Sequence, residues 1–167
     1  MERITSILPV LLLLICSGCM VTQSTVGVST TSGRGVWFST YGDMLYSGPG
    51  PAYSNNRQGL QELLNNNYEA AEKTFATTLE QYPGNPDAVY YLGLTLIYQG
   101  KREEGFALLR QFRDPLRYRI TQAVQWWADY LEKKPELTPK KIHDVMNKNR
   151  VEAYNKEYRE RRERLWD

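Results

Sequence analysis

The sequence predicts an all-α protein, in which a short array of helical hairpins is followed by a capping helix and a long charged helix. Three observations support this fold class. Asn85-Pro86 and Thr138-Pro139 each place a capping side chain before a proline at the first helical position. Small and apolar residues recur at a fixed offset along the middle of the chain. Acidic residues precede basic residues by one helical turn in the C-terminal segment.

The composition excludes several classes of function. The chain has 167 residues, and 21 basic against 19 acidic side chains leave a net charge of +2, too small for a field that grips nucleic acid. Two Cys and one His provide neither a disulfide framework nor a multi-His metal site. No Gly-rich phosphate loop, HExxH or CxxC motif occurs. We therefore expect no enzymatic activity, no cofactor, no small-molecule substrate and no nucleic-acid partner, and we expect His143 to be a surface residue.

The N-terminus has the pattern of a targeting segment. The apolar run from Ile7 to Ile15 is far shorter than the about 20 residues that span a membrane, and it fits the core of a secretory signal. The sequence Cys16-Ser17-Gly18-Cys19 follows it, with two small residues directly before the second cysteine. Residues 1–18 thus resemble a bacterial lipoprotein signal peptide, although Cys16 stands where that family usually has an aliphatic residue.

The resemblance implies a location. Cleavage before Cys19 would make this cysteine the acylated N-terminus, and two or three acyl chains such as palmitate anchor a protein firmly. In this family an Asp after the acylated cysteine retains the protein at the inner membrane, whereas this chain has Met20. The expected location is the bacterial cell envelope, at the outer membrane and facing the periplasm.

Residues 19–55 form a predicted tether that is rich in Gly, Ser and Thr and poor in charge. The alternation of Val26 with Val28 and of Val36 with Phe38 allows a short hairpin within it. The tether also carries aromatic residues that a simple linker does not need: Trp37, Phe38, Tyr41, Tyr46 and Tyr53. These aromatics either cover an exposed edge of the helical domain or form a strand that binds a partner or a second copy.

Residues 56–134 are predicted to form the helical domain, and their pattern repeats. An offset of roughly 34 residues superimposes Gly59 on Gly93 and Leu63 on Ile97, so that small residues meet small ones and large apolar residues meet large ones. Ala71 falls on Gly105 in the same way. Over about residues 56–113 the chain resembles the tetratricopeptide repeat family.

This resemblance implies a stack of helix pairs with a concave groove lined by the first helix of each pair. Family members hold a peptide or a helix of a partner protein in that groove. The matching positions of this chain are apolar or aromatic: Leu60, Leu63, Leu64, Tyr90, Leu94, Ile97 and Tyr98. An apolar groove of this kind suits an amphipathic helix of a partner protein. It equally suits coverage by the chain's own tail, because two repeats are fewer than the roughly three that an independent array needs.

A capping helix is predicted from Pro115 to Lys133, with Asp114 as its N-cap. One face of this helix carries an apolar stripe that is expected to pack on the last repeat: Ile120, Val124, Trp127 and Leu131. Trp126 points away from the stripe and is a candidate surface anchor.

Residues 135–167 are predicted to form a charged C-terminal helix that begins at Pro139. Its support comes from ion pairs with the acid four residues before the base: Glu152–Lys156, Glu157–Arg161 and Glu160–Arg164. One face of this helix carries a sparse apolar stripe that is expected to pack against a neighbouring helix: Ile142, Met146, Tyr154, Tyr158 and Leu165. The arginines near its end suit an anionic partner, but interleaved glutamates favour a solvated face.

Together these features predict a lipid-anchored scaffold. It would bind or stabilise a protein of a cell-envelope assembly, such as a secretion, pilus or polysaccharide-export complex, through the groove. The alternative is a structural envelope lipoprotein that self-associates or contacts the cell wall, with its groove filled by its own chain.

Overall fold

The computed structural model describes residues 42–46 and 50–164, and within them the regular secondary structure is entirely helical. The all-α prediction is therefore confirmed. Six helices follow one another: α1 Pro51–Leu64, α2 Tyr68–Gln81, α3 Pro86–Tyr98, α4 Arg102–Arg110, α5 Tyr118–Glu132 and α6 Pro139–Glu163. The predicted signal peptide, Cys19, the short hairpin and Leu165 lie outside the described residues.

The predicted caps of α3 and α6 are confirmed. The Asn85 side chain accepts a hydrogen bond from the backbone N–H of Ala88, and the Thr138 side chain accepts one from Lys141. Gly100 ends the turn after α3 with φ of 83°, a conformation that glycine adopts at little cost. The N–H of Lys101 then reaches the carbonyl of Leu96 at 2.9 Å, which closes a Schellman turn.

Two predicted boundaries differ from the structure. The α1 helix begins at Pro51, inside the range assigned to the tether, because proline is well suited to the first helical position. The α5 helix begins at Tyr118 rather than Pro115. Asp114 does not cap it, because its carboxylate accepts the N–H of Leu116 at 2.9 Å and its own N–H donates to Thr121 Oγ1. Asp114 thus shapes the turn that precedes the helix.

The repeat predicted from the sequence corresponds to two hairpins, α1–α2 and α3–α4, with the same close approach. A Cβ added at Gly59 would lie 2.8 Å from the Phe75 ring, and one at Gly93 would lie 2.7 Å from Leu109 Cγ. Phe75 and Leu109 occupy equivalent places in the two hairpins. At Gly105 an added Cβ would lie 2.5 Å from the carbonyl oxygen of Gly93. The small residues therefore allow the helices of each pair to touch.

The third layer consists of α5 and α6. Ile120, Val124 and Leu131 of the predicted stripe are buried, Trp127 is half-buried, and Trp126 points outward. On α6, Ile142 and Met146 are buried in the same core. The predicted pair Glu157–Arg161 forms, whereas the Glu160 carboxylate accepts from Arg119 Nε of α5 at 2.8 Å instead of pairing with Arg164. That bridge helps to hold α6 against α5.

Candidate functional site

Residues 42–46, called the strap below, cross the inner face of the helical array between α3 and α6. The Met44 carbonyl accepts hydrogen bonds from Tyr91 Oη at 2.9 Å and from Arg150 Nη1 at 3.0 Å. The N–H of Tyr46 donates to Asp87 Oδ2 at 3.0 Å. Side chains of two helices therefore hold the backbone of the strap.

Arg150 is the centre of this site, and it is fully buried. Its Nη2 donates to Asp87 Oδ1, and both side chains of this ion pair are inaccessible to solvent. Its guanidinium carbon lies 4.1 Å from the centroid of the Tyr90 ring, 4.8 Å from that of Tyr46 and 5.2 Å from that of Tyr91. The face of an aromatic ring attracts a cation, most strongly where water is excluded. We call Arg150, Asp87, Tyr46, Tyr90 and Tyr91 the Arg150 cluster.

Burial dominates the electrostatics of the tyrosines in this cluster. It raises the pKa of Tyr46 and Tyr90 far above the ordinary value, and the positive charge of Arg150 offsets only part of that rise. Burial raises the pKa of Tyr91 too, and the negative charge of Asp43 adds to this rise. These phenols stay protonated in the folded protein, so the Tyr91 hydroxyl remains a donor to the strap.

His143 is not a surface residue, and the prediction that it would be one is wrong. Its side chain is only 7% exposed, and its Nε2 lies 2.8 Å from Asp43 Oδ1 of the strap. A carboxylate accepts hydrogen bonds, so Nε2 carries the proton. Tyr98 Oη lies 3.1 Å from the other ring nitrogen, Nδ1, and donates to it when the imidazole is neutral. Asp43 is therefore the hydrogen-bond partner of the buried His143 ring, and the sequence around His143 gave no indication of this partner.

Of the positions predicted to line the groove, Tyr90 and Tyr98 contact this site. Tyr90, Leu94, Ile97 and Leu63 are buried, and Leu60, Leu64 and Tyr98 are half-buried. Tyr90 stacks on Arg150, and Tyr98 contacts His143. Tyr90 is thus covered by Arg150 of α6. Of the aromatic residues predicted for the tether, Tyr46 packs against the helical domain, with its ring 5.8 Å from that of Tyr154, but it does so on the inner face rather than at an exposed edge. Trp37, Phe38 and Tyr41 lie outside the described residues.

A second aromatic group lies on the opposite, outer side of α5. Tyr118, Trp126 and Tyr130 are 71%, 58% and 43% exposed. The rings of Trp126 and Tyr130 stack with their planes 6° apart, and Lys134 Nζ lies 5.5 Å from the centroid of Tyr130. We call these residues the outer aromatic surface. It confirms the outward orientation predicted for Trp126.

The described residues contain no group of three His, Cys, Asp or Glu side chains that could hold a metal ion. None of the helices in residues 50–164 is both long and apolar enough to cross a membrane. Comparisons of the chain with protein-family models, with curated proteins and with solved structures found no match.

The sequence patterns did not indicate a functional role for four residues of this site: Arg150, Asp87, Asp43 and His143. One signal for Arg150 was present: it follows Ile142 and Met146 at four-residue intervals, so it continues the apolar stripe of α6. A charged residue on such a stripe is either at the end of the buried surface or paired within it. Asp87 gave no such signal, because an acidic residue in the first turn of a helix already has a local explanation.

Proposed function

We propose that this protein is a lipid-anchored helical scaffold of the bacterial cell envelope that binds or stabilises a protein partner. The partner would belong to an envelope assembly such as a secretion, pilus or polysaccharide-export complex. The lipoprotein-like pattern before Cys19 supports the anchor. The acyl chains would hold the helical domain at the membrane surface, and residues 19–41 would separate the two.

The single observation that carries the scaffold role is the inner face between α3 and α6, which holds the strap, a segment without helix or strand, by its backbone. Tyr91 and Arg150 donate to one carbonyl of the strap, and Asp87 accepts one N–H. Hydrogen bonds to main-chain groups are the usual means by which a protein surface holds an extended peptide. The same face therefore suits a role in binding protein segments.

The anchor is tested by growing bacteria that express the chain with an alkyne analogue of palmitate. We expect label on the wild-type chain and none on Cys19→Ala, while Cys16→Ala, the matched control, keeps its label. Label that persists in Cys19→Ala would contradict acylation at Cys19, and its simultaneous disappearance in Cys16→Ala would assign the acyl group to Cys16.

The partner is tested by cross-linking in cells, followed by purification from detergent-solubilised membranes and mass spectrometry. We expect one envelope protein in near-stoichiometric yield with the wild type, reduced by at least fivefold for Cys19→Ala because the chain then leaves the membrane. Recovery of the chain alone, from a sample in which it is correctly acylated, would contradict the scaffold role.

A second candidate is a structural envelope lipoprotein that self-associates or contacts the cell wall. The observation that favours it is the strap itself, which fills the inner face with the chain's own residues. In the same cross-linking experiment this candidate predicts a dimer of the chain, or its sedimentation with purified cell wall, in place of a different partner protein.

A further inference from the structure

We propose that the inner face is a peptide-recognition site that the strap occupies in cis, and that it selects an extended segment with an acidic residue three positions before an aromatic one. The partner would supply such a segment and displace the strap. This inference rests on the proposed role as a protein-binding scaffold.

The contacts of the strap define what the site reads. Its acidic side chain, Asp43, accepts from His143 Nε2 at 2.8 Å. Its aromatic side chain, Tyr46, lies against the guanidinium of Arg150 at 4.8 Å and that of Arg117 at 5.4 Å. Between them, Met44 contributes through its backbone carbonyl. The site thus contacts the two polar or aromatic ends of the segment by side chain and Met44 by backbone, while Leu45 packs against the core.

The side chains beneath the strap are held by one another as well as by the strap. Arg150 and Asp87 bind each other directly, and both are fully buried, as are Tyr90 and Tyr91. They belong to α3 and α6, which pack against each other through the core. A preorganised surface of this kind binds a segment without first ordering its own side chains.

The strap is more exposed than the cluster beneath it, although its Asp43 side chain is only 5% exposed. Each of residues 42–46 is half-buried. Among the described residues, its hydrogen bonds use the Asp43 carboxylate, the Met44 carbonyl and the Tyr46 N–H, and the side chains of Leu45 and Tyr46 also pack against the core. Hydrogen bonds to charged groups contribute about 1.5–3 kcal/mol each, so a segment with equivalent groups can compete for the same donors and acceptors.

The test uses the full chain in detergent and a fluorescein-labelled, C-terminally amidated peptide with the sequence of residues 42–46. Fluorescence anisotropy is measured for the wild type and for a strap variant, Asp43→Ala/Tyr46→Ala. We expect the strap variant to bind the peptide at least tenfold more tightly than the wild type, because its own strap no longer competes.

Altered peptides test the specificity. The Asp43→Ala and Tyr46→Ala peptides should each bind the strap variant at least tenfold more weakly than the parent peptide. The Met44→Ala peptide is the matched control and should bind within threefold, because Met44 acts through its backbone carbonyl. Equal binding of all peptides would overturn the specificity, and equal binding by the two proteins would overturn the competition.

Circular dichroism shows whether the strap variant is folded, and no binding by a folded variant would overturn the inference. If the variant does not fold, hydrogen exchange on the wild type decides. Excess unlabelled peptide should then speed exchange of the Tyr46 amide, which is bonded to Asp87. Unchanged exchange at millimolar peptide would overturn the inference. Neither readout depends on acylation or on a co-purified partner, so it can fail independently of the proposed function.

Discussion

The Arg150 cluster and the outer aromatic surface combine the same kinds of residue in opposite environments. In the cluster, three tyrosine rings surround a cation that is 0% exposed. On the outer surface, Trp126 and Tyr130 stack beside Lys134 with their rings open to solvent. Both regions place a cation beside aromatic rings. They differ in solvent exposure, because water is excluded from the Arg150 cluster and reaches the outer aromatic surface.

This difference determines what each region contributes. A buried cation must be paired, so Arg150 makes the Tyr and Asp side chains around it interdependent. An exposed cation is already solvated, and its contact with a ring contributes only about 0.5–1 kcal/mol. We therefore expect the helical members of the cluster, Arg150 with Asp87, Tyr90 and Tyr91, to hold α3 against α6. We expect the outer surface to be free for contacts with other molecules.

The change expected to have the largest effect is Arg150→Ala. It leaves Asp87 buried without its ion pair, removes a donor to the Met44 carbonyl and should lower the free energy of unfolding by about 5 kcal/mol. Urea denaturation followed by circular dichroism measures the loss. Arg162→Ala, at an exposed position of the same helix, is the control and should change stability by less than about 0.5 kcal/mol. A loss below about 1 kcal/mol for Arg150→Ala would show that the pair is not buried in solution.

The second largest effect is expected in alkaline solution. The pKa values of Tyr46, Tyr90 and Tyr91 are raised in the folded protein mainly by burial. Above pH of about 10 the unfolded chain loses these protons while the folded chain keeps them, so stability falls as pH rises. Each tyrosine that stays protonated should cost about 1.4 kcal/mol of stability at pH of about 11.

Urea denaturation at a series of alkaline pH values measures this slope. The ultraviolet absorbance of tyrosinate, recorded in parallel, shows whether the cluster ionises only on unfolding. A free energy of unfolding that stays constant up to pH of about 11 would contradict the burial of these phenols.

The third change tests the frame that holds the cluster in place. Gly93→Ala puts a Cβ 2.7 Å from Leu109 Cγ, so α3 and α4 must separate, and stability should fall by about 1–3 kcal/mol. Thermal denaturation measures the effect. Ser54→Ala, on the exposed side of α1, is the control and should stay within about 0.5 kcal/mol of the wild type. An unchanged melting temperature for Gly93→Ala would mean that α3 and α4 are not in close contact at this position.

The smallest effect is expected on the outer aromatic surface. Trp126→Ala/Tyr130→Ala should change the free energy of unfolding by less than about 1 kcal/mol, because both rings are exposed. Urea denaturation of this variant beside Arg150→Ala tests the contrast between the two regions directly. A loss similar to that of Arg150→Ala would mean that the outer rings are structural too.

The helices and their hairpin packing were predictable because their causes are local. Asn85 and Thr138 each accept a hydrogen bond from an N–H group three residues further along the chain. Gly59 and Gly93 recur at the repeat spacing, which indicated close packing of the paired helices. The start of α5 was not predictable in the same way, because Asp114 forms a turn in which its backbone N–H donates to the Thr121 hydroxyl. A cap signal alone does not show which of two competing hydrogen bonds forms.

The candidate site was predictable only in part. The apolar positions of α1 and α3 pointed to the inner face, and Tyr90 and Tyr98 do lie at it. Asp43, Asp87, His143 and Arg150 were missed because each has an unremarkable local setting. What makes them a site is their mutual contact, which single-sequence patterns do not contain.

The sequence by itself determined that the chain is helical, where α3 and α6 begin and how closely paired helices approach. Caps, glycines and apolar periodicity act over a few residues, so they can be read directly. Only the tertiary structure decided that Arg150 is buried and that the strap occupies the inner face. Met44 and Arg150 are separated by 106 positions in the chain, and whether a charge can be buried depends on a partner that folding brings to it.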